Sequence, residues 1–329
     1  MGTQPPPPGA VREHAGMCDA SASVLADADH ILVANDEDNV LRLYRSADSG
    51  GPVKEFDWTA ELGIAPDDEH PEADIEAGQR VGDRVYWITS HGASSKGKKR
   101  PNRRRFFATD LAAENGAVRP VPVGTPYRDL LDHLAAAPGL KKFDLTERAK
   151  APPEDEGGLN IEGLTATPNG VLLIGFRNPV PKGHALLVPF RNPDAVLAGG
   201  SDPRFGPPIL LDLGGLGVRS IDYAPAHGSY FIVADRPGDD GASRLYRWTG
   251  AAGDEAVRVT HVDFAGLAPE AAWRARTPRP TSASSAACGS PPDCRRSRRV
   301  TPPGRTPPSG SAPPARSAGT GGPARPPPP

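Results

Sequence analysis

Acidic and amide side chains recur near the start of four similar segments of this 329-residue chain. Carboxylate and amide oxygens are the groups that Ca²⁺ binds in proteins, about six to eight of them at a time. If the four segments begin beside one another, these side chains repel one another unless a cation bridges them. The predicted metal ligands are Asp19, Glu76, Asn160, Glu162 and Asp222.

A metal ion held in this way would support hydrolysis. It would polarise a carbonyl or phosphoryl oxygen while a neighbouring base activates water. His91, which ends the apolar run after Glu76, is the candidate for moving the proton. The alternative is a structural role, because acidic residues at such positions also cap turns or pair with arginine. A lone histidine at a strand end is, in the same way, often only hydrogen-bonded.

A basic run at residues 96–105, KGKKRPNRRR, holds seven cations in ten residues. The planar fork of arginine suits a carboxylate or a phosphate, and a further arginine ends the apolar run LLIGFRN. The other interpretation of the run is a solvated loop that keeps a sheet edge from pairing. The predicted ligand-binding residues are Arg103, Arg104, Arg105, Arg177 and Asn178.

The segments that carry these residues repeat along the chain. Each leads to a short apolar run bounded by Gly, Asn, Asp or Pro: HILVAND, VYWITSH, LLIGFRN and YFIVADR. Such runs predict strands covered on both faces, like the inner strands of a β-propeller. In three copies the same step of fifteen residues recurs: Ser21 to Asp36, Glu76 to His91 and Glu162 to Arg177. We therefore predict an all-β fold, an incomplete β-propeller of four to five blades with one inserted helix.

The propeller is predicted to span residues 17–274, between a Pro-rich start (1–16) and a Pro/Arg-rich tail (275–329) that both predict disorder. The inserted helix is predicted in TPYRDLLDHLAAAPG (125–139), with Thr125 as N-cap and one apolar face of Tyr127, Leu130, Leu131 and Leu134. A fifth copy begins at LAPEAAW (267–273) and then loses its apolar strand. The tail contains arginine but no lysine and is dominated by Pro, Ala and Gly, as an out-of-frame reading of a GC-rich gene would be, so our hypothesis is a frameshifted or degenerate end that replaces the last blades.

Several long motifs give the chain a family resemblance between Cys18 and Ala272. They are DASA…ANDEDNVLRLY, EADIEA…YWITSHG, KGKKRPNRRRFFATD, GLNIEGL…LLIGFRNP, ALLVPFRNP and RFGPPILLDLGGLGVRSIDY. With these motifs the chain resembles the bacterial family known as domain of unknown function 3616. The resemblance implies a propeller-like fold and no established activity. More distantly, the Ile-Glu-Gly segment start is similar to that of esterase-like phytase, gluconolactonase and strictosidine synthase propellers, some of which hold Ca²⁺ at the axis.

Composition limits the partners. The chain has a net charge of −2, and the nine arginines and one acid after residue 274 leave −10 for residues 1–274, which weighs against duplex nucleic acid. No apolar stretch approaches the roughly 20 residues of a membrane span, and no signal peptide is evident, so we expect a cytoplasmic protein. We expect it to bind a small polar or anionic ligand, or a protein partner, at one end of the axis. The alternative is a calcium-dependent hydrolase of an ester, lactone or phosphoester.

Overall fold

The computed structural model describes residues 11–65, 67–114, 116–236, 243–262, 264, 269, 272–273 and 284–285. Two compact units, Met1–Ser290 and Pro291–Pro329, divide the chain, and all of the described residues lie in the first unit. Residues 1–10 and most of residues 275–329 lie outside the described residues, so disorder and a frameshift there stay predictions. Residues 11–16 are described, and His14 forms a β-bridge with Gly50.

Four antiparallel sheets of four strands each form the blades, and within each sheet consecutive strands pair. The first blade contains β1 (Ala20–Leu25), β2 (His30–Asn35), β3 (Val40–Arg45) and β4 (Lys54–Asp57). The second contains β5 (Ile75–Val81), β6 (Arg84–Thr89), β7 (Phe106–Glu114) and β8 (Ala117–Tyr127). The third contains β9 (Asn160–Ala166), β10 (Leu172–Asn178), β11 (Ala185–Phe190) and β12 (Ile209–Leu211). The fourth contains β13 (Gly217–Ala224), β14 (Ser229–Asp235), β15 (Arg244–Trp248) and β16 (Val257–Arg258).

The first strand of each blade is the innermost one. Strand β1 contacts β5, β5 contacts β9, and β9 contacts β13. Strand β17 (Ala272–Trp273) contacts both β1 and β13, and it pairs with β18 (Ser284–Ser285). The inner strands therefore surround a common axis, which confirms the predicted propeller with four blades, and β17 ends the segment in which we predicted the start of a fifth copy.

The apolar runs of the sequence form the second strands of the blades. All seven residues of β10 and all six of β2 are buried, as expected for strands covered on both faces. Close packing of neighbouring blades requires small residues. Gly163 on β9 and Gly175 on β10 are paired within the third blade. A Cβ atom on either glycine would lie 2.8 Å from Cγ1 of Val218 on β13. The glycines thus allow the third and fourth blades to pack against each other.

The inserted helix is shorter than predicted. Helix α1 is Leu130–Ala136 with Asp129 at its N-cap, and its buried residues are Leu130, Leu131 and Leu134. Thr125 and Tyr127 belong to β8 instead, because the chain continues to pair with β7 as far as Tyr127 opposite Phe106. Two further short helices, α2 (Leu145–Arg148) and α3 (Pro193–Leu197), were not predicted. Within the described residues, none of the helices has the length and apolar character needed to cross a membrane.

Candidate functional site

Each of the four inner strands contains a β-bulge at the corresponding place. In β1 the pairing with β2 skips one residue between Ala20 and Ala22. The pairing skips one residue at the corresponding place in β5, β9 and β13. A bulge leaves one residue unpaired and changes the direction of its side chain. The residues at the four bulges are Ser21, Glu76, Glu162 and Arg219, each of which lies between two residues that are in register with the neighbouring strand. This ring of bulge residues lies at the end of the axis where the inner strands begin.

The fourth position of this ring corrects the sequence alignment. The sequence predicts Asp222 as the counterpart of Glu76 and Glu162 at the start of the fourth segment, but the bulge residue of β13 is Arg219. Asp222 pairs with Phe231 three residues further along β13, about 10 Å away at the rise of a strand. The fifteen-residue step counted back from Asp235 reaches Ser220, next to Arg219, and could have shown the error. A basic residue therefore stands where we expected an acidic one.

Glu162 is the centre of a buried ion-pair network. Its Oε1 atom accepts hydrogen bonds from Arg177 (3.1 Å) and from the Asn160 amide (2.6 Å). Its Oε2 atom accepts one from Arg219 at 3.0 Å. Asp235 pairs with the same two arginines, at 2.7 Å from Arg177 Nε and 3.7 Å from Arg219 Nε. The carboxylate of Glu162 is 4% exposed, so these bonds form almost entirely out of water.

Asp74 forms a second ion pair beside this network. Its carboxylate lies 2.9 Å from Nη1 of Arg103 in an ion pair and accepts a hydrogen bond from the hydroxyl of Ser90. Its backbone is left-handed, with a φ of 61°, a conformation that costs an ordinary residue about 1–3 kcal/mol and is common at functional sites. Burial raises the pKa of Asp74, and Arg103 opposes that effect. We call Asp74, Glu76, Arg103, Asn160, Glu162, Arg177, Arg219 and Asp235 the axial cluster.

Two members of the axial cluster have unused hydrogen-bonding capacity. Glu76 is partly exposed and forms no hydrogen bond or ion pair with another described residue. Burial of its carboxyl raises the pKa of Glu76 well above its usual range, and the carboxylates of Glu162, Asp74 and Asp36 raise it further. Asn160 is 8% exposed, and its Oδ1 atom has no donor. The amide cannot be flipped, because Nδ2 donates to a carboxylate oxygen of Glu162 and Oδ1 in its place would be a second acceptor facing that oxygen.

The described residues do not fit the predicted calcium site. No three acidic, histidine or cysteine side chains come together in the part of the chain that the structure describes in a way that could hold a metal ion. Both oxygens of Glu162 already accept bonds from arginines, so a cation there would have to displace two guanidinium groups. Asp19 is exposed just before β1, and Asp222 is three residues from the bulge. Calcium binding stays a prediction that this geometry does not favour.

His91 lies at the same end of the second blade, but its hydrogen bond is to Thr89, outside the axial cluster. It is fully buried and has a left-handed backbone, with a φ of 57°. Its Nδ1 atom is 2.8 Å from the carbonyl oxygen of Thr89, and Nε2 has no partner. Burial lowers the pKa of His91 to about 4, and Arg104 and Arg105 contribute to the decrease. His91 is thus neutral at neutral pH, and a role in proton transfer stays a prediction.

The residues predicted to bind a ligand all contact protein groups. Arg103 pairs with Asp74, and Arg177 pairs with Glu162 and Asp235. Arg105 is buried and donates to the carbonyl oxygens of Leu62 and Pro101, and burial lowers the pKa of Arg105 to about 10. Asn178 donates to the carbonyl oxygens of Pro153 and Asp155, and Arg104 lies 3.9 Å from Asp132. Ligand binding by these five residues stays a prediction, and their contacts favour structural roles.

The fold and the axial cluster define a four-bladed β-propeller with a charged cluster at one end of its axis, in which some hydrogen-bonding groups have no partner among the described residues. Residues 112–270, a little under half of the chain, match the model of the family described as protein of unknown function (DUF3616). This match confirms the resemblance that the sequence motifs give. No curated protein matches the sequence.

Several solved structures are similar to the chain at low sequence identity. The chain is 14% identical to PQQ-bound aldose sugar dehydrogenase from Streptomyces coelicolor, with a TM-score of 0.39 and coverage of 83% of this chain and 91% of that one. It is 12% identical to a structural genomics protein of unknown function from Bacteroides thetaiotaomicron, with a TM-score of 0.38 and coverage of 74% and 43%. It is 9% identical to virginiamycin B lyase from Staphylococcus aureus, with a TM-score of 0.32 and coverage of 73% and 55%. The chain thus spans less than two thirds of the last two proteins, and these similarities carry no information on function.

Proposed function

We propose that this propeller binds a small polar ligand at the axial cluster and does not transform it. The observation that carries the proposal is the unused capacity of Glu76 and Asn160 inside a network whose other carboxylates are paired. Buried polar atoms in native proteins are almost always hydrogen-bonded, so a buried acceptor without a donor indicates a water molecule or a ligand. Partial exposure of Glu76 supports access from solvent.

Three features support a binding site over a purely structural cluster. The unpaired carboxyl of Glu76 lies beside other carboxylates, which a structural network would avoid because like charges repel. The left-handed backbone of Asp74 places strain next to it. Strongly shifted titratable groups are also typical of functional sites. The hydrolase alternative lacks comparable support, because His91 contacts Thr89 and none of the acidic residues of the axial cluster.

The test is a thermal-shift screen of the full chain. A ligand at ten times its Kd stabilises the folded state by about 1.4 kcal/mol, which raises the Tm by roughly 3–5 °C for a domain of this size. The panel would contain sugars, amino acids, amines, carboxylic acids and phosphoesters. We expect at least one compound to stabilise the wild type but not Glu76→Gln. A panel in which every stabilising compound acts equally on both proteins would refute the proposal.

A further inference from the structure

We infer that the ligand of the axial cluster carries an organic ammonium group; this inference rests on the proposed function and specifies its ligand. The argument depends on which hydrogen-bonding groups of the cluster are occupied and which are free. It also depends on the balance of charge, which the tertiary structure sets by bringing distant segments together.

The arginines of the cluster are engaged, so they cannot readily hold an anion. Arg177 and Arg219 both donate to Glu162, and both lie close to Asp235. Arg103 pairs with Asp74, and its Nε atom is the one guanidinium nitrogen of the cluster that is buried without an acceptor in the described structure. An incoming carboxylate or phosphate would therefore have to break buried charge-assisted bonds, which are among the strongest hydrogen bonds in proteins.

The free groups are mainly acceptors. The Glu76 carboxyl has two oxygens with no bond to another described residue, and Asn160 Oδ1 is a third. An ammonium group offers three N–H donors and a positive charge, which matches three acceptor oxygens in number and kind. Glu76 is the accessible contact, whereas the enclosed Asn160 oxygen would be reached directly or through one bridging water.

The charge balance points the same way. The cluster contains four carboxyl groups (Asp74, Glu76, Glu162 and Asp235) and three guanidinium groups (Arg103, Arg177 and Arg219), so its formal charge is negative. Glu72, 3.9 Å from Arg103, adds another negative charge. A calcium ion would also be attracted, but it needs about six to eight oxygen ligands, and the cluster leaves three free. An ammonium group needs no more than the cluster offers.

Three probes of similar size but different charge test the inference. They are 2-aminoethanol (cation), ethylene glycol (neutral) and glycolate (anion), each titrated into the full chain at neutral pH and constant ionic strength by ligand-observed NMR. We expect 2-aminoethanol to bind at least about tenfold more tightly than the other two, as charge-assisted bonds to a carboxylate predict. We expect Glu76→Gln and Asn160→Ala to weaken its binding, Glu76→Gln by about tenfold or more.

The controls separate the possible failures. Glu147→Gln removes a carboxylate from an exposed pair with Lys150 and should leave the binding of 2-aminoethanol unchanged. If ethylene glycol or glycolate binds as tightly, with the same dependence on Glu76, the ammonium inference is wrong and the proposed function stands. If Ca²⁺ displaces 2-aminoethanol at lower concentration than Mg²⁺ or Na⁺, the site is a metal site and the inference is wrong. If none of the three probes binds, the inference is wrong, and the wider screen decides the proposed function.

Discussion

Replacing Glu162 by glutamine tests the arrangement of the inner strands most directly. The substitution Glu162→Gln keeps the shape of the side chain but removes its charge and turns one acceptor oxygen into a donor. That donor would face an N–H group of Arg177 or Arg219, which now bond to Glu162 at 3.1 and 3.0 Å. The change removes one of the two carboxylates, Glu162 and Asp235, that pair with both buried guanidinium groups.

The expected effect is large. Removing one partner of a buried ion pair destabilises a protein by about 3–5 kcal/mol, and the remaining contact with Asp235 places this case near the lower end. In a domain of this size each kcal/mol shifts the Tm by about 2–4 °C. We therefore expect Glu162→Gln to lower the Tm by roughly 6–12 °C, measured by calorimetry and checked by urea unfolding.

The matched control is Glu147→Gln. Glu147 pairs with Lys150 at 2.7 Å, but the two side chains are 71% and 64% exposed, so solvent screens their attraction. We expect this variant to change the Tm by no more than about 2 °C. A double-mutant cycle of Glu162→Gln with Arg219→Met should in addition give a coupling energy above about 1 kcal/mol. Equal Tm changes for the two glutamine variants, with no coupling to Arg219, would refute the inferred contact between β9 and β13.

Three further predictions follow from the same geometry. Because burial and neighbouring carboxylates raise the pKa of Glu76 in the folded state above its value of 4.5 in the unfolded chain, the wild type should lose stability as the pH rises above about 4.5. Glu76→Gln removes this loss, so its Tm advantage should be small at pH 4 and larger at pH 7 and 8; an advantage that does not change with pH would contradict the raised pKa of Glu76. Gly217→Ala should cost about 3 kcal/mol or more in urea unfolding, because its Cβ would lie 1.8 Å from the carbonyl oxygen of Arg177, whereas Gly157→Ala meets nothing within 4 Å and should be neutral. Arg105→Met should destabilise by about 1–3 kcal/mol because the hydrogen bonds that Arg105 donates to the carbonyl oxygens of Leu62 and Pro101 are lost, while Arg100→Met, which removes a single bond to Lys99, should have little effect; similar urea midpoints for both variants would argue against a structural role of Arg105.

The structure also assigns the basic run of residues 96–105 two different roles. Its last residues belong to the protein interior: Arg103 pairs with Asp74, and Arg105 is buried among carbonyl oxygens. The lysines at positions 96, 98 and 99 are exposed, as expected for a solvated loop. The lysines thus fit the solvated-loop interpretation, whereas the arginines at the end of the run, from the short 3₁₀ helix Pro101–Arg103 onward, have structural contacts, and ligand binding by them stays a prediction.

The sequence alone determined the kind of fold. Short apolar runs such as residues 30–36 and 172–178 are local patterns, and their burial on both faces follows from composition, so the strands and the propeller were predictable. The repeated spacing also placed Glu76 and Glu162 at equivalent positions of adjacent inner strands. The family resemblance seen in the motifs between Cys18 and Ala272 is confirmed by the family model over residues 112–270.

The partners of those carboxylates were decided by tertiary structure. Glu162 and Arg219 are 57 residues apart in the chain, and no local pattern indicates that they bond. The bulges, which change the direction of one side chain in each inner strand, interrupt the alternation on which a sequence alignment of strands relies. A strand pattern therefore shows which residues approach the axis, whereas packing between blades determines which of them pair and which groups, such as Asn160 Oδ1, have no donor among the described residues.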